Sequence, residues 1–330
     1  MSQNIYVYSP SGAVRDKAAF RRGLARLRAM GHQVQVDPDA LSSHMRFAGD
    51  DETRVAAVHR AAASGADWAM ASRGGYGLTR VLDRIDFKRL ARASKKGTQW
   101  LGFSDINALQ WALLEKTGTP SWAGPMLIDD FGRQADPDEI MLACFDDVCS
   151  GRSQGTGWRL PRPRRQQRAA TTPTASPGTP SGKSAMALDT TKVEGDRHIR
   201  NATLWGGNLM MLTSLLGTPW FPQVKGGILF FEDVGEHPYR IERMLTQLLH
   251  AGVLARQKAI LMGQFTNFQL VPHDRGFGLA STLAWLRQRL KVPVYEGLPF
   301  GHVPKKLMLP IGQKVDLLVR ERELLLLWEH

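Results

Sequence analysis

Cysteine is nearly absent from this chain: Cys144 and Cys149 are the only two in 330 residues. They lie five apart in a stretch that reads as helix, which is neither a C-x-x-C redox pair nor a metal cluster, so both are read as buried structural thiols. Long apolar runs are missing as well. No stretch reaches 18 consecutive apolar residues, which excludes an ordinary membrane-spanning helix. Met1-Ser2-Gln3-Asn4-Ile5 passes directly into a short strand, without the basic and apolar regions of a secretory signal, and a cytoplasmic location is expected. Nucleotide signatures are lacking too, because Gly74-Gly75-Tyr76-Gly77 fits neither G-x-G-x-x-G nor the phosphate loop with its Gly-Lys-Ser/Thr. His237, His250 and His273 show no metal-ligand spacing. The expectation is a protein with no cofactor and no metal.

Acidic residues are outnumbered, 31 against 43 basic ones, for a formal net charge of +12. The excess is concentrated. Between Gly151 and Ala185 stand Arg152, Arg159, Arg162, Arg164, Arg165, Arg168 and Lys183 with no acid among them, more than half of that charge. The segment is otherwise Pro, Thr, Ser, Gly and Gln, with too little apolar surface to offset the entropy of ordering it. It reads as a flexible linker over 151–185, dividing an N-terminal domain (1–150) from a C-terminal one (186–330). A solvated tether fits this composition better than a nucleic-acid arm, although a basic polyanion-binding module stands as the alternative from another functional class. Hydrophobic residues make up 43% of the chain, enough to build sizeable cores.

Patterning then sets the fold class as α/β. Short apolar strands (Ile5 to Ser9, Gln33 to Val36, Trp68 to Ala71, Trp100 to Phe103) alternate with helices, among them one with Ala18, Phe20, Leu24, Leu27 and Met30 on one face. Such alternation implies parallel pairing with right-handed crossovers, and ligands gather at the carboxyl edge of sheets of this kind. The second half is less regular. Strands over Ile199 to Trp205, Gly226 to Phe231, Lys258 to Met262 and Val292 to Tyr295 are followed by short antiparallel strands over Lys306 to Leu309, Lys314 to Val319 and Glu323 to Trp328.

One stretch carries chemistry. Trp100-Leu101-Gly102-Phe103-Ser104-Asp105-Ile106 reads as a strand, a sharp turn at Ser104 and a helix from Asp105. A serine there is lifted clear of the sheet beside unpaired N–H groups, the arrangement of a nucleophile elbow, although Ile106 stands where G-x-S-x-G has its second glycine. Capping of the helix by Ser104 or Asp105 is the plainer alternative. Glu232 follows the apolar run Ile228-Leu229-Phe230-Phe231, and His302 follows the turn Gly297-Leu298-Pro299-Phe300-Gly301. A serine hydroxyl needs a base within hydrogen-bond reach and the base needs a carboxylate to orient it, which Ser104, His302 and Glu232 could supply. Glu232 could equally pair with Arg240 or Arg243. Glycines 74, 75 and 77 would let backbone approach an oxyanion closely.

Taken in order, Ser72-Arg73-Gly74-Gly75-Tyr76-Gly77, Gly102-Phe103-Ser104-Asp105, Gly206-Gly207-Asn208-Leu209, Glu232-Asp233-Val234-Gly235-Glu236-His237-Pro238-Tyr239-Arg240, Leu261-Met262-Gly263-Gln264-Phe265 and Phe300-Gly301-His302 resemble the LD-carboxypeptidases. That family includes the murein tetrapeptide enzymes of peptidoglycan recycling and the microcin C self-immunity peptidases. The resemblance implies a flavodoxin-like N-terminal domain, a β-rich C-terminal domain and a catalytic triad of Ser104, His302 and Glu232 in the groove between them. It further implies a homodimer acting on short peptides that end in a D-amino acid. Oxyanion donors would be the N–H groups of Gly75 and Asp105, with Arg240 a candidate clamp for the substrate carboxylate. Asn107 stands where many relatives carry threonine, and the segment 151–182 is longer than the family needs.

Overall fold

The computed structural model describes residues 2–160 and 196–328. Along the chain the elements are β1 (Asn4–Tyr8), α1 (Lys17–Ala29), β2 (Gln33–Val36), α2 (Asp51–Ala63), β3 (Trp68–Ala71), α3 (Phe87–Lys95), β4 (Gln99–Gly102), α4 (Ile106–Thr117), β5 (Ser121–Ala123) and α5 (Glu139–Cys149). They continue with β6 (Gly155–Arg159), β7 (Arg197–Asn208), α6 (Leu209–Ser214), β8 (Ile228–Val234), α7 (Pro238–His250), β9 (Ala259–Thr266), α8 (Leu279–Arg289), β10 (Val294–Tyr295), β11 (Leu309–Ile311), β12 (Lys314–Arg320) and β13 (Glu323–Leu327).

Local chemistry explains the helix boundaries. Asp16, Asp50, Asp86 and Asp138 each accept from a backbone N–H of the first turn of α1, α2, α3 and α5, satisfying donors that no intrahelical carbonyl reaches. Helix α4 closes on Gly118 in the left-handed conformation (φ 67°). Helix α3 escapes the periodicity reading because only Phe87, Leu90 and Ala93 are buried, a narrow stripe between charged residues.

Strands β2, β1, β3, β4 and β5 are parallel, in the order β2-β1-β3-β4-β5, which is the flavodoxin-like arrangement, and β11 closes the sheet antiparallel to β5. The tail strand expected over Lys306 to Leu309 thus pairs in the first sheet as Leu309–Ile311, pinning the C-terminal half onto the N-terminal one. The second sheet runs β10-β9-β8-β7-β12-β13-β6, parallel from β7 to β10 and antiparallel through β12, β13 and β6. The architecture is mixed α/β with two sheets, as the alternation predicts.

The linker reading needs correction at its start. Gly155–Arg159 form β6, paired antiparallel with β13, and Trp158 is buried against it, so an edge of the second sheet supplies hydrogen bonds that composition does not reveal. The rest of that segment lies largely in 161–195, outside the described residues. Cys149 is buried and Cys144 half-buried, both free thiols; burial pushes the Cys144 thiol up and the Cys149 thiol well above the ordinary range. No described helix is long and apolar enough to cross a membrane.

Candidate active site

Strand β4 ends at Gly102, and the chain turns through Ser104, which holds φ at 64°. A non-glycine residue in this left-handed region costs on the order of 1–2 kcal/mol, an outlay retained only where surrounding packing imposes it. A Cβ on Gly102 would lie 2.8 Å from Ile106 Cγ2, so one small residue before the turn makes room for a bulky one after it, and the second glycine of G-x-S-x-G is unnecessary. The first turn of α4 is tight: Ile106 N–H donates to Phe103 O, and Asn107 N–H to Ser104 O at 3.0 Å.

Helix capping is excluded as the purpose of Asp105, whose side chain makes no capping bond. It accepts instead from Ser11 Oγ at 2.6 Å and from Leu78 N–H at 3.0 Å, so the turn after β1 and the glycine loop after β3 are both tied to the elbow. Asp105 is fully buried. Burial pushes its carboxyl up, opposed by those hydrogen bonds and by the charges of Arg54 and Arg46.

His302 reaches the elbow from the other half of the chain. Its Nε2 lies 3.2 Å from Ser104 Oγ, and its Nδ1 lies 2.7 Å from Glu232 Oε2. Gly301 (φ 139°) permits the approach, since a Cβ there would stand 3.2 Å from Glu232 Oε2 and 2.9 Å from Gln264 O. Phe300 wedges between Phe103 and Phe230, with ring centroids 5.9 and 5.4 Å away, and Phe103 also packs on the imidazole at 4.9 Å. Lys306 completes the support. Its ammonium, nearly inaccessible, sits 3.9 Å from the Phe103 ring centroid and 2.7 Å from Asp130 Oδ1. Removing one partner from a buried pair of this kind typically costs about 3–5 kcal/mol.

Strand β8 does not end before Glu232, as the apolar run suggests, but continues to Val234. Pairing with β9 slips between Phe231 and Asp233, so Gly263 and Gln264 together oppose Glu232. This bulge re-aims the carboxylate toward the groove. Glu232 is fully buried and pairs with His302, not with Arg240 or Arg243. Its Oε1 accepts from Asn208 Nδ2 at 3.1 Å, and that amide also donates to Asp233 Oδ1 at 3.0 Å. Asp233 is pushed up to about 6, by burial first and the Glu232 charge second. Burial pulls His302 down, but its hydrogen bond to Glu232 and the Glu232 charge outweigh burial, leaving it above its ordinary 6.5.

Asn107 links the two halves beneath the site. Its Oδ1 accepts from Asn208 N–H at 3.1 Å, and its Nδ2 donates to Gln110 Oε1 at 2.7 Å, while Gln110 Nε2 donates to Gly102 O and Trp122 O. Asn107, Asn208 and Lys306 are supporting residues to which motif reading assigns no role, although Asn107 and Asn208 lie in or beside the quoted motifs and Lys306 opens a predicted strand; Asp105, expected as an oxyanion donor, adds a second role through its side chain. Arg240 is not brought to the triad by any described contact. It lies on the exposed first turn of α7, with Glu236 at 3.6 Å and the Tyr239 hydroxyl at 3.4 Å. Of the glycines, Gly74 lies against the nucleophile: a Cβ on it would stand 2.9 Å from Ser104 Oγ and 3.3 Å from Asp105 N. Among the described residues, the N–H groups of Gly75 and Asp105 donate to no acceptor, and no group of three or more His, Cys, Asp or Glu is placed to hold a metal.

A serine, an imidazole and a carboxylate in hydrogen-bonded sequence, beside open backbone N–H groups, can run acyl transfer. Comparison with known proteins agrees with that chemistry. The LD-carboxypeptidase N-terminal domain matches residues 5–124, and the LD-carboxypeptidase C-terminal domain matches residues 201–317. The chain belongs to the LD-carboxypeptidase family. Within this family, the crystal structure of muramoyltetrapeptide carboxypeptidase from Oxalobacter formigenes is 35% identical, covers 99% of each chain and superposes with a TM-score of 0.82. The murein tetrapeptide carboxypeptidase of Pseudomonas aeruginosa is 29% identical over 88% of this chain and 85% of its own. The microcin C7 self-immunity protein MccF, 21% identical with a TM-score of 0.80, shares the fold, covering 99% of this chain and 96% of that one.

Proposed function

We propose that the protein is a serine LD-carboxypeptidase that removes the terminal D-alanine from murein tetrapeptides in cytoplasmic peptidoglycan recycling, with Ser104 as nucleophile, His302 as base and Glu232 as its orienting carboxylate. The observation that carries this reading is the continuous Ser104–His302–Glu232 hydrogen-bond chain at 3.2 and 2.7 Å, which joins the turn after β4, the interior of β8 and the loop after β10. Family membership and the tetrapeptide activity named for the relatives support the substrate class.

Ser104 Oγ attacks the scissile carbonyl carbon while His302 Nε2 takes its proton. The carbonyl π electrons move to oxygen, and the N–H groups of Gly75 and Asp105 hold the oxyanion. The C–N bond then breaks, the D-alanine nitrogen receives the His302 proton, and an ester to Ser104 remains. Water, deprotonated by His302, attacks that ester; the proton returns to Ser104 as the acyl group leaves as a carboxylic acid, which then loses its own proton to water. One oxyanion donor is worth about 3 kcal/mol in such sites.

The test is incubation with muramoyl tetrapeptide and enzymatic measurement of free D-alanine. Release supports the reading. Absence of release together with cleavage of a peptidyl or aminoacyl nucleotide would move the protein to the immunity activity, and salt-sensitive nucleic-acid retention without either would favour the polyanion-binding alternative. A homodimer, implied by the resemblance, is checked by sedimentation of the same preparation. Gly74→Ala is expected to lower kcat at least tenfold with little change in the unfolding midpoint. Its backbone conformation suits alanine, yet the new Cβ would press on Ser104 Cβ and Oγ at 2.9 Å.

A further inference from the structure

The carboxyl edge of the first sheet holds a cation that forms no ion pair among the described residues. Arg73 follows β3 at the point between β1 and β3 where the strand order reverses, the place where open sheets of this topology collect ligands. The turns on either side are locked together there, with Ser9 Oγ 2.6 Å from Ser72 Oγ and Gly12 N–H donating to Gly74 O. Arg73 is half-buried. Its Nη1 donates to Ala13 O at 3.2 Å, and its Nε is buried with no acceptor. Among the described residues it forms no ion pair, whereas neighbouring Arg54 pairs with Asp51 and Lys306 with Asp130. A guanidinium carries five N–H donors, and withdrawing it from water is costly unless they are matched.

Its position is equally specific. Arg73 adjoins Gly74, whose Cβ position touches Ser104, and its Nη2 lies 3.7 Å from the Cβ position of exposed Gly75. Burial first, and then the Asp130 charge, push the Asp129 carboxyl up, while the charges of Arg73, Lys306 and His302 pull it down, so Arg73 and the base act on one carboxylate. Asp129 forms no ion pair among the described residues, so Nη2 is left without an acceptor.

We propose that Arg73 holds the terminal carboxylate of the substrate peptide, making the last peptide bond the one presented to Ser104. The proposal rests on the carboxypeptidase reading above. In such a substrate the free carboxylate belongs to the residue just past the scissile amide, and consecutive Cα atoms are only about 3.8 Å apart. The selecting cation must therefore stand within one residue's reach of the nucleophile. Arg73 Nη2 lies against Gly75, whose N–H is a proposed oxyanion donor, whereas Arg240 is engaged with Glu236 on α7. The bond formed is a charge-assisted hydrogen bond from guanidinium to carboxylate, and a peptide continuing past this point would place an uncharged amide there instead.

Calorimetry on the Ser104→Ala protein separates binding from turnover. The tetrapeptide acid is expected to bind about 10–100-fold more tightly than its C-terminal amide. Adding Arg73→Gln should erase that difference, and Arg73→Lys should restore part of it. With Ser104 intact, Arg73→Gln should raise KM for the acid by the same factor, with kcat within a few-fold and amide turnover unchanged. Equal binding of acid and amide, no binding of either, a preference that survives Arg73→Gln, or equal loss on both substrates would overturn the clamp. Arg73-dependent preference for the acid without any D-alanine release by wild type would leave the clamp standing and overturn the proposed reaction.

Discussion

Ser104→Ala should abolish D-alanine release, lowering kcat by about 10⁴–10⁶-fold, the range seen when a triad nucleophile is removed. The loss follows from covalent chemistry, since no other hydroxyl in the described hydrogen bonds lies against His302 Nε2. Fold stability should change by no more than about 1 kcal/mol, because Ser104 is only half-buried and its hydroxyl is held only by His302. Peptide binding should persist, since the elbow is tied to its neighbouring loops by the Asp105 carboxylate rather than by the hydroxyl. Retained turnover in Ser104→Ala would remove Ser104 from the mechanism outright. A stopped acyl-enzyme, visible as a mass increase on wild type but not on the variant, provides an independent reading.

Glu232→Gln should lower kcat by about 10³–10⁴-fold and also move the acid limb of the kcat/KM profile to lower pH. The sign follows from the forces on His302. Burial and the Lys306 charge pull it down, while Glu232 lifts it through its hydrogen bond and its charge, with a net position above 6.5. His302 must be neutral to accept the Ser104 proton, so wild-type activity falls as pH drops through that raised value. With glutamine the lifting charge is gone, burial prevails and the imidazole stays neutral to lower pH. The rate nevertheless falls because an amide N–H can face Nδ1 and favour the tautomer whose Nε2 carries the proton, useless as a base. Stability carries the matching signature. A raised folded-state value means His302 contributes stability that is fully present below about 6.5 and is lost as pH rises through the folded value, and Glu232→Gln should remove that contribution. An acid limb that stays in place would separate Glu232 from His302.

Much of this was legible in residues alone. The alternation of apolar strands and helices announced the parallel sheet, and Ser104, Glu232 and His302 each followed a strand or turn end where side chains face the carboxyl edge. Other features were not. Nothing local shows that Ile106 packs over Gly102 or that Ser104 holds φ 64°. The run Ile228 to Phe231 does not reveal that β8 continues through Glu232 by way of a bulge in β9, because a bulge is a property of pairing rather than of either strand. Gly155–Arg159 read as linker because its strand character comes from β13, more than 160 residues away.

The sequence by itself therefore determined the fold class, the family motifs and the three residue types of the site, all of which are set by periodicity and by short-range turn chemistry. Tertiary structure alone decided that Glu232 answers His302 instead of Arg240 or Arg243, that Asp105 ties loops rather than caps a helix, and that Arg240 meets Glu236 on α7 rather than the triad. The physical reason is common to all of them. Each depends on which polar group finds a partner once strands from distant parts of the chain are side by side, and burial makes that choice energetically decisive only after the chain has folded.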